Sequence, residues 1–215
     1  MGLLTGRAPE REQMVRRQLQ DRGVTDPRVL EAFRAVPREI FAGEANQARA
    51  YDDSALPIDA GQSISQPYIV GVMIQALDLA LTDQVLEVGS GSGYASAILS
   101  HMAYQVKAVE WYPGLAEQAR ARLDRLGIGN VEIRVGDGGL GWPDAAPFDA
   151  ILISACGPDV PPALVEQLQP GGRMVLPIGG RNTQELVCVR RSLDRWSIER
   201  SSLGPVVFVP LLSSR

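Results

Sequence analysis

The chain has 215 residues, 45% hydrophobic and 21% charged, enough for one good-sized core of an ordinary globular protein. Its net charge of −4 and pI near 5.1 argue against nucleic acid as a bulk electrostatic partner. No apolar run approaches the roughly 20 residues that span a bilayer, "MGLLTGRAPEREQ" has no signal-peptide layout, and Cys156 and Cys188 show neither metal spacing nor a disulfide framework. No metal site is therefore expected, and the cysteines read as buried thiols in a reducing cytoplasm.

Residues 9–22 place Met14, Val15 and Leu19 on one helical face, and Gly23 is a natural stop. A second helix starts at Pro27, capped by Thr25 or Asp26, with Val29, Leu30 and Phe33 as its apolar stripe and Pro37 as its end. Both helices precede the first core strand, so they are predicted to cap a sheet edge or the ligand site. Residues 51–68 form a long polar connection, and such connections in compact domains are usually functional. Pro67 then opens a helix to about Leu79, with Gln66 or Ser65 as its cap.

Alternation follows. Strands are predicted at 85–88, 106–109, 131–135, 149–154 and 173–178, with helices at 94–102, 113–127 and 161–168. The tail changes character: 185–191, 196–200 and 206–212 read as strands with no helices between them. The pattern predicts one doubly wound α/β domain over 1–215, with antiparallel additions at one side. Residues 1–80 supply N-terminal helices and a long loop, and 81–215 the core.

The densest signal is "VLEVGSGSGY", Val85 to Tyr94. An apolar strand carries one acid, Glu87, and then Gly89, Gly91 and Gly93 at every second position. The dinucleotide pattern G-x-G-x-x-G would need glycine where Tyr94 stands. The spacing E-x-G-x-G-x-G instead resembles the first motif of S-adenosylmethionine (AdoMet) methyltransferases. Glu87, Gly89, Ser90, Gly91 and Gly93 are thus candidate cofactor-binding residues. Glu87 could equally be a structural acid bonded to backbone amides.

Glu110 ends the next strand, about 20 residues on, where an acid can accept hydrogen bonds from ribose hydroxyls; a solvated acid is the plainer alternative. Asp137, in "VGDGG", can accept from an adenine amino group while Gly138 leaves room for the ring, or the segment is simply a turn. The single histidine, His101, reads as a surface or packing residue. With no evident general base, the pattern suits an acceptor already ionised at neutral pH, and a carboxylate with pKa near 4 is one.

The long connection carries "LPIDAGQSISQPY". It closely resembles the signature of the protein-L-isoaspartate O-methyltransferases, L-P-I-G-x-G-Q-T-I-S-Q-P-Y. "AVPREIFA", "GDGGLGW", "PFDAILISA", "LQPGGRMVLPIG" and "FVPLL" resemble that family's blocks in the family's order. The resemblance implies a Rossmann-like AdoMet methyltransferase domain with an N-terminal helical cap and a β-rich C-terminal end. It implies methyl transfer to the α-carboxyl of L-isoaspartyl residues in damaged proteins and peptides, followed by collapse of the ester to a succinimide. The catalytic serine matches Ser65, which would donate a hydrogen bond to the acceptor carboxylate; otherwise Ser65 is only a helix cap. Ile64, Gln66 and the tail residues Phe208, Val209 and Pro210 would line the peptide site.

Three positions depart from the pattern: Asp59 replaces its glycine, Ser63 its threonine and Val207 its arginine. Two other readings remain at this level: a carboxyl methyltransferase for an aspartate of one dedicated peptide, and an AdoMet-binding protein without catalysis. A monomer with no nucleic-acid or membrane partner is expected.

Overall fold

Strands that are apolar on both faces need helices on both sides, and the arrangement of those helices is what positions the site. The computed structural model describes residues 6–180, 183–194 and 197–213. A small antiparallel ribbon comes first, β1 (Leu56–Pro57) and β2 (Ser63–Ile64). The main sheet contains β3 (Gln84–Val88), β4 (Gln105–Glu110), β5 (Val131–Val135), β6 (Phe148–Ile153), β7 (Leu168–Gly179), β8 (Gln184–Arg191) and β9 (Ile198–Val206). Their order across the sheet is β5-β4-β3-β6-β7-β8-β9. The first five in that order run parallel, and β8 and β9 are antiparallel additions, as the tail predicted. The chain winds from β3 outward to β5, then returns to the other side of β3 as β6. This reversal opens a crevice at the carboxyl ends of β3 and β6.

The helices are α1 (Ala8–Met14), α2 (Pro27–Ala35), α3 (Pro67–Leu77), α4 (Tyr94–Ser100), α5 (Pro113–Arg125) and α6 (Pro162–Gln167). The two layers are unequal. Val85, Val106, Ala150 and Val175 pack on the side of α3, α4 and α5, which also carries α1 and α2. Leu86, Val88, Ile151 and Met174 meet Leu164 of α6 on the other face. Short 3-10 turns, not a helix, join β5 to β6.

The N-terminal helices cap the helical layer, not a sheet edge. Phe33 meets Tyr94 of α4 edge-on with ring centroids 6.0 Å apart, and Phe41 packs on the same ring at 5.6 Å. α1 continues through a π-turn and a 3-10 turn and stops at Gly23, whose φ of +97° suits glycine. Asp26 caps α2 by accepting from the Arg28 N–H at 2.8 Å, and Pro27 follows in the first turn.

Several boundaries differ from the prediction. The 51–68 connection contains the β1–β2 ribbon. α3 stops at Leu77 because Asp78 takes a left-handed conformation. The Pro-Gly-Gly turn at 170–172 lies inside β7, where the register with β6 slips between Phe148 and Ala150. Strand β9 begins at Ile198, and Trp196 lies outside the described residues. The strand predicted at 206–212 does not form. Val206 pairs with Gln184, the first residue of β8, so no partner strand continues beyond it. The tail crosses instead to the end of β6, where the Cys156 N–H donates to the Val209 carbonyl and the Leu211 N–H to the Cys156 carbonyl, both at 2.8 Å.

Candidate active site

The glycine loop leaves β3 at the switch point. Gly89, Gly91 and Gly93 have φ of +82°, +51° and +88°, a region costly for any side chain. Gly89, Ser90 and Gly91 line a cleft with about 790 Å³ of empty space, part of it continuous with solvent. Gly93 lies outside that lining. It serves helix packing, because a Cβ there would come within 3.1 Å of the Ala119 Cβ on α5.

Glu87 is entirely buried and lines the cleft. The Ser96 hydroxyl donates to its Oε2, while Oε1 has no partner among the described residues. Burial pushes its pKa up to about 8, against the opposing effect of the Ser96 hydrogen bond. The backbone amides weighed from sequence are not its partners. Its neutral form is favoured at pH 7, and its second oxygen can take a hydrogen bond from a ligand. The buried Ser90 hydroxyl is likewise unpartnered.

Glu110 is buried at the end of β4. Its Oε2 accepts from the Gly91 N–H at 2.8 Å and its Oε1 from the Tyr112 N–H at 3.0 Å. These bonds hold the carboxylate against the glycine loop, and each oxygen retains a further lone pair for a ligand. Asp137 accepts from the Gly139 N–H at 2.9 Å and is not part of the cleft wall; its neighbour Gly138 is. A Cβ on Gly138 would sit 2.4 Å from Val88 Cγ1, so only glycine lets the chain pass this close to β3.

A second cavity adjoins the cleft and shares Ser63, Ser65, Ser154 and Val209 with it. Among the described residues no ionisable side chain lines this second cavity. Ser65 therefore stands at the junction. Its hydroxyl has no protein hydrogen-bond partner among the described residues, and α3 is capped by no side chain, so the helix-cap reading fails. Ile64 and Pro210 face the first cavity; Gln66, Phe208 and Val209 face the second. Gln66 donates to the Asp53 side chain at 2.8 Å, and Gln184 ties down both backbone groups of Phe208. His101 ends α4 and lines neither cavity.

The family model for protein-L-isoaspartate(D-aspartate) O-methyltransferase (PCMT) matches residues 10–215. The chain is a member of the PCMT family. The protein-L-isoaspartate O-methyltransferase of Methylorubrum extorquens (strain PA1) is 54% identical over 207 residues, covering 96% of this chain and 90% of that protein. The protein of the same name from Syntrophus aciditrophicus (strain SB) is 50% identical over 204 residues, covering 94% of each. A solved protein-L-isoaspartate O-methyltransferase superposes with TM-score 0.84 at 26% identity, over 94% of this chain and 66% of that one. The fold is shared with a Plasmodium falciparum structure described as a PCMT in complex with S-adenosyl-L-homocysteine, with TM-score 0.81, 24% identity, and 94% and 98% coverage.

Against the usual PCMT pattern, Asp59 accepts from the Gln118 amide at 2.8 Å and so ties the ribbon tip to α5. Ser63 lines both cavities. Val207 is 92% exposed at the rim of the second cavity, where it makes none of the polar contacts an arginine would. Sequence reasoning missed Trp111, Tyr112, Ser154 and Leu211 in the cleft wall. The two aromatics could have been found, since they directly follow Glu110. Ser154 carries no local signal: it reaches the cleft because β6 lies beside β3, with its N–H on the Val88 carbonyl at 2.9 Å.

Proposed function

We infer that this chain transfers a methyl group from AdoMet to the free α-carboxylate of L-isoaspartyl residues in damaged proteins and peptides, starting a repair that proceeds through a succinimide. Membership of the PCMT family, with relatives of that name near 50% identity, supports the reaction. The single observation that carries the site is the meeting of two cavities at the unpartnered Ser65 hydroxyl.

The first cavity fits a cofactor with a cationic amino-acid end and a nucleoside. Glu87 Oε1 and Ser90 Oγ are buried and unsatisfied, Glu110 retains acceptor capacity, and Gly138 leaves the wall flat. Glu87 and Ser90 would meet the methionine end and Glu110 the ribose. Gly138 and Trp111 would flank the base, and Asp137, next to Gly138, is retained as its amino-group acceptor. When bound, AdoMet supplies an electrophilic methyl on a sulfonium.

The chain's own work is then orientation and exclusion of water. The isoaspartyl carboxylate needs no base, because it is ionised at neutral pH. On entering the second cavity it loses hydration and needs a replacement donor, which the Ser65 hydroxyl provides. Ser65 neither attacks nor takes a proton. The lack of ionisable side chains among the described residues lining the cavity suits a reaction in which a carboxylate and a sulfonium become a neutral ester and a thioether. A guanidinium there would stabilise the starting carboxylate more than the transition state. Gln66, Ile64 and the Phe208–Pro210 tail would hold the peptide around this point.

Labelled AdoMet offered with an isoaspartyl peptide and with its aspartyl isomer tests the reading: only the first should take up label. Label on neither peptide defeats it. Among the described residues no helix is long and apolar enough to cross a membrane. We assign the protein to the reducing cytoplasm, in keeping with two buried free thiols, as a monomer without nucleic-acid or membrane partners.

A further inference from the structure

Arg38 opens the 3-10 turn after α2, inside "AVPREIFA". It is fully buried, yet no carboxylate pairs with it among the described residues. A buried charge in that position is costly unless its N–H groups find acceptors. Two of its three nitrogens find main-chain carbonyls, while the buried Nη1 has no hydrogen-bond partner among the described residues. Nε donates to the Ala50 carbonyl at 2.9 Å, and Nη2 donates to the Ser65 carbonyl at 2.9 Å and to that of Ser54 at 3.5 Å. The flat guanidinium also lies over the Tyr94 ring, 4.8 Å from its centroid. Tyr94 is the first residue of α4, directly after Gly93, and lines the first cavity. One stiff group therefore touches the residue at the junction of the cavities and the helix that carries the glycine loop.

We propose that Arg38 is a positioning residue for methyl transfer: through the Ser65 carbonyl and the Tyr94 ring it fixes the Ser65 hydroxyl relative to the glycine loop. This rests on the reading that Ser65 meets the acceptor carboxylate. The Ser65 side chain has no hydrogen-bond partner among the described residues, so its place depends on its backbone, and Arg38 holds that backbone. A displacement of about 1 Å at such a point costs on the order of 100-fold in rate. The planar fork matters, because it reaches the Ala50 and Ser65 carbonyls at once; a lysine ammonium on its flexible stem does not reproduce that geometry.

The test is a double-mutant cycle in the full chain, with Arg38→Lys and Arg38→Gln each made alone and combined with Ser65→Ala. AdoMet affinity, thermal midpoint, and kcat and KM for an isoaspartyl peptide are measured. Arg38→Lys should stay folded and keep its AdoMet affinity within about threefold, while kcat falls about tenfold or more. In the Ser65→Ala background the same substitution should slow transfer less than about threefold, because its effect acts through Ser65. Equal losses in both backgrounds would overturn the proposal and leave the Ser65 reading intact. Wild-type rate in Ser65→Ala would take down both. If Arg38→Lys and Arg38→Gln both fail to fold even with AdoMet present, Arg38 serves folding alone and the proposal falls.

Discussion

Glu87→Gln isolates the energetic consequence of burying an acid in the cleft. In the unfolded chain a glutamate has a pKa near 4.5, whereas burial raises Glu87 to about 8. Between those values the folded protein keeps a proton that the unfolded chain has released. Rising pH therefore favours unfolding, and the wild type loses stability through this window. A glutamine has no proton to lose. Linkage puts the change in the stability difference between the two proteins at about 3 kcal/mol from about pH 5 to pH 7.5. Titrating groups that do not interact with Glu87 cancel in that difference; the neighbouring Glu110 carboxylate, whose charge helps raise Glu87, is the exception. Urea unfolding of both proteins without AdoMet, at several pH values, measures it. Glu87→Gln should gain on the wild type steadily with pH, and parallel stability curves would refute the burial argument. A second readout addresses the ligand. Glu87 is about nine-tenths protonated at pH 7, so an ammonium group bound beside it should expel close to one proton. Calorimetry of AdoMet binding in buffers of different ionisation heat should detect that release in the wild type and not in Glu87→Gln. Its absence from both would move the methionine end elsewhere.

Ser65→Ala should slow methyl transfer on the order of 10- to 100-fold, from a lost hydroxyl–carboxylate bond of roughly 1.5–3 kcal/mol, while AdoMet affinity stays nearly intact; Ser65→Thr should keep part of the activity. A wild-type rate in Ser65→Ala would misplace the acceptor site. Glu110→Gln keeps one acceptor oxygen but loses the charge, and should weaken AdoMet binding by about tenfold or more; an unchanged dissociation constant would separate Glu110 from the ribose. Gly138→Ala must push Val88 aside, and should cost about 1–3 kcal/mol in urea unfolding together with AdoMet affinity.

What the sequence determined by itself was whatever neighbours along the chain decide. The strand–glycine–helix unit at 85–94, the caps at Asp26 and Gly23 and the alternation of strands and helices arise from periodicity and turn chemistry, which act over a few residues. The block 56–68 identified the family for the same reason, since its residues are contiguous. Only the tertiary structure decided what depends on which segments become neighbours. Ser154 reaches the cleft because β6 returns to the free side of β3. The tail gives up its β-pattern at Val207 because β8 supplies no partner beyond Gln184. Glu87 turned out to be paired with the Ser96 side chain and to carry a raised pKa, because burial depends on everything packed around it. Ser65 could be read locally as a helix cap or a donor. The fold removes the cap, since no side chain caps α3, and sets Ser65 where two cavities meet while Arg38, 27 residues earlier, holds its carbonyl, which supports the donor role proposed for it.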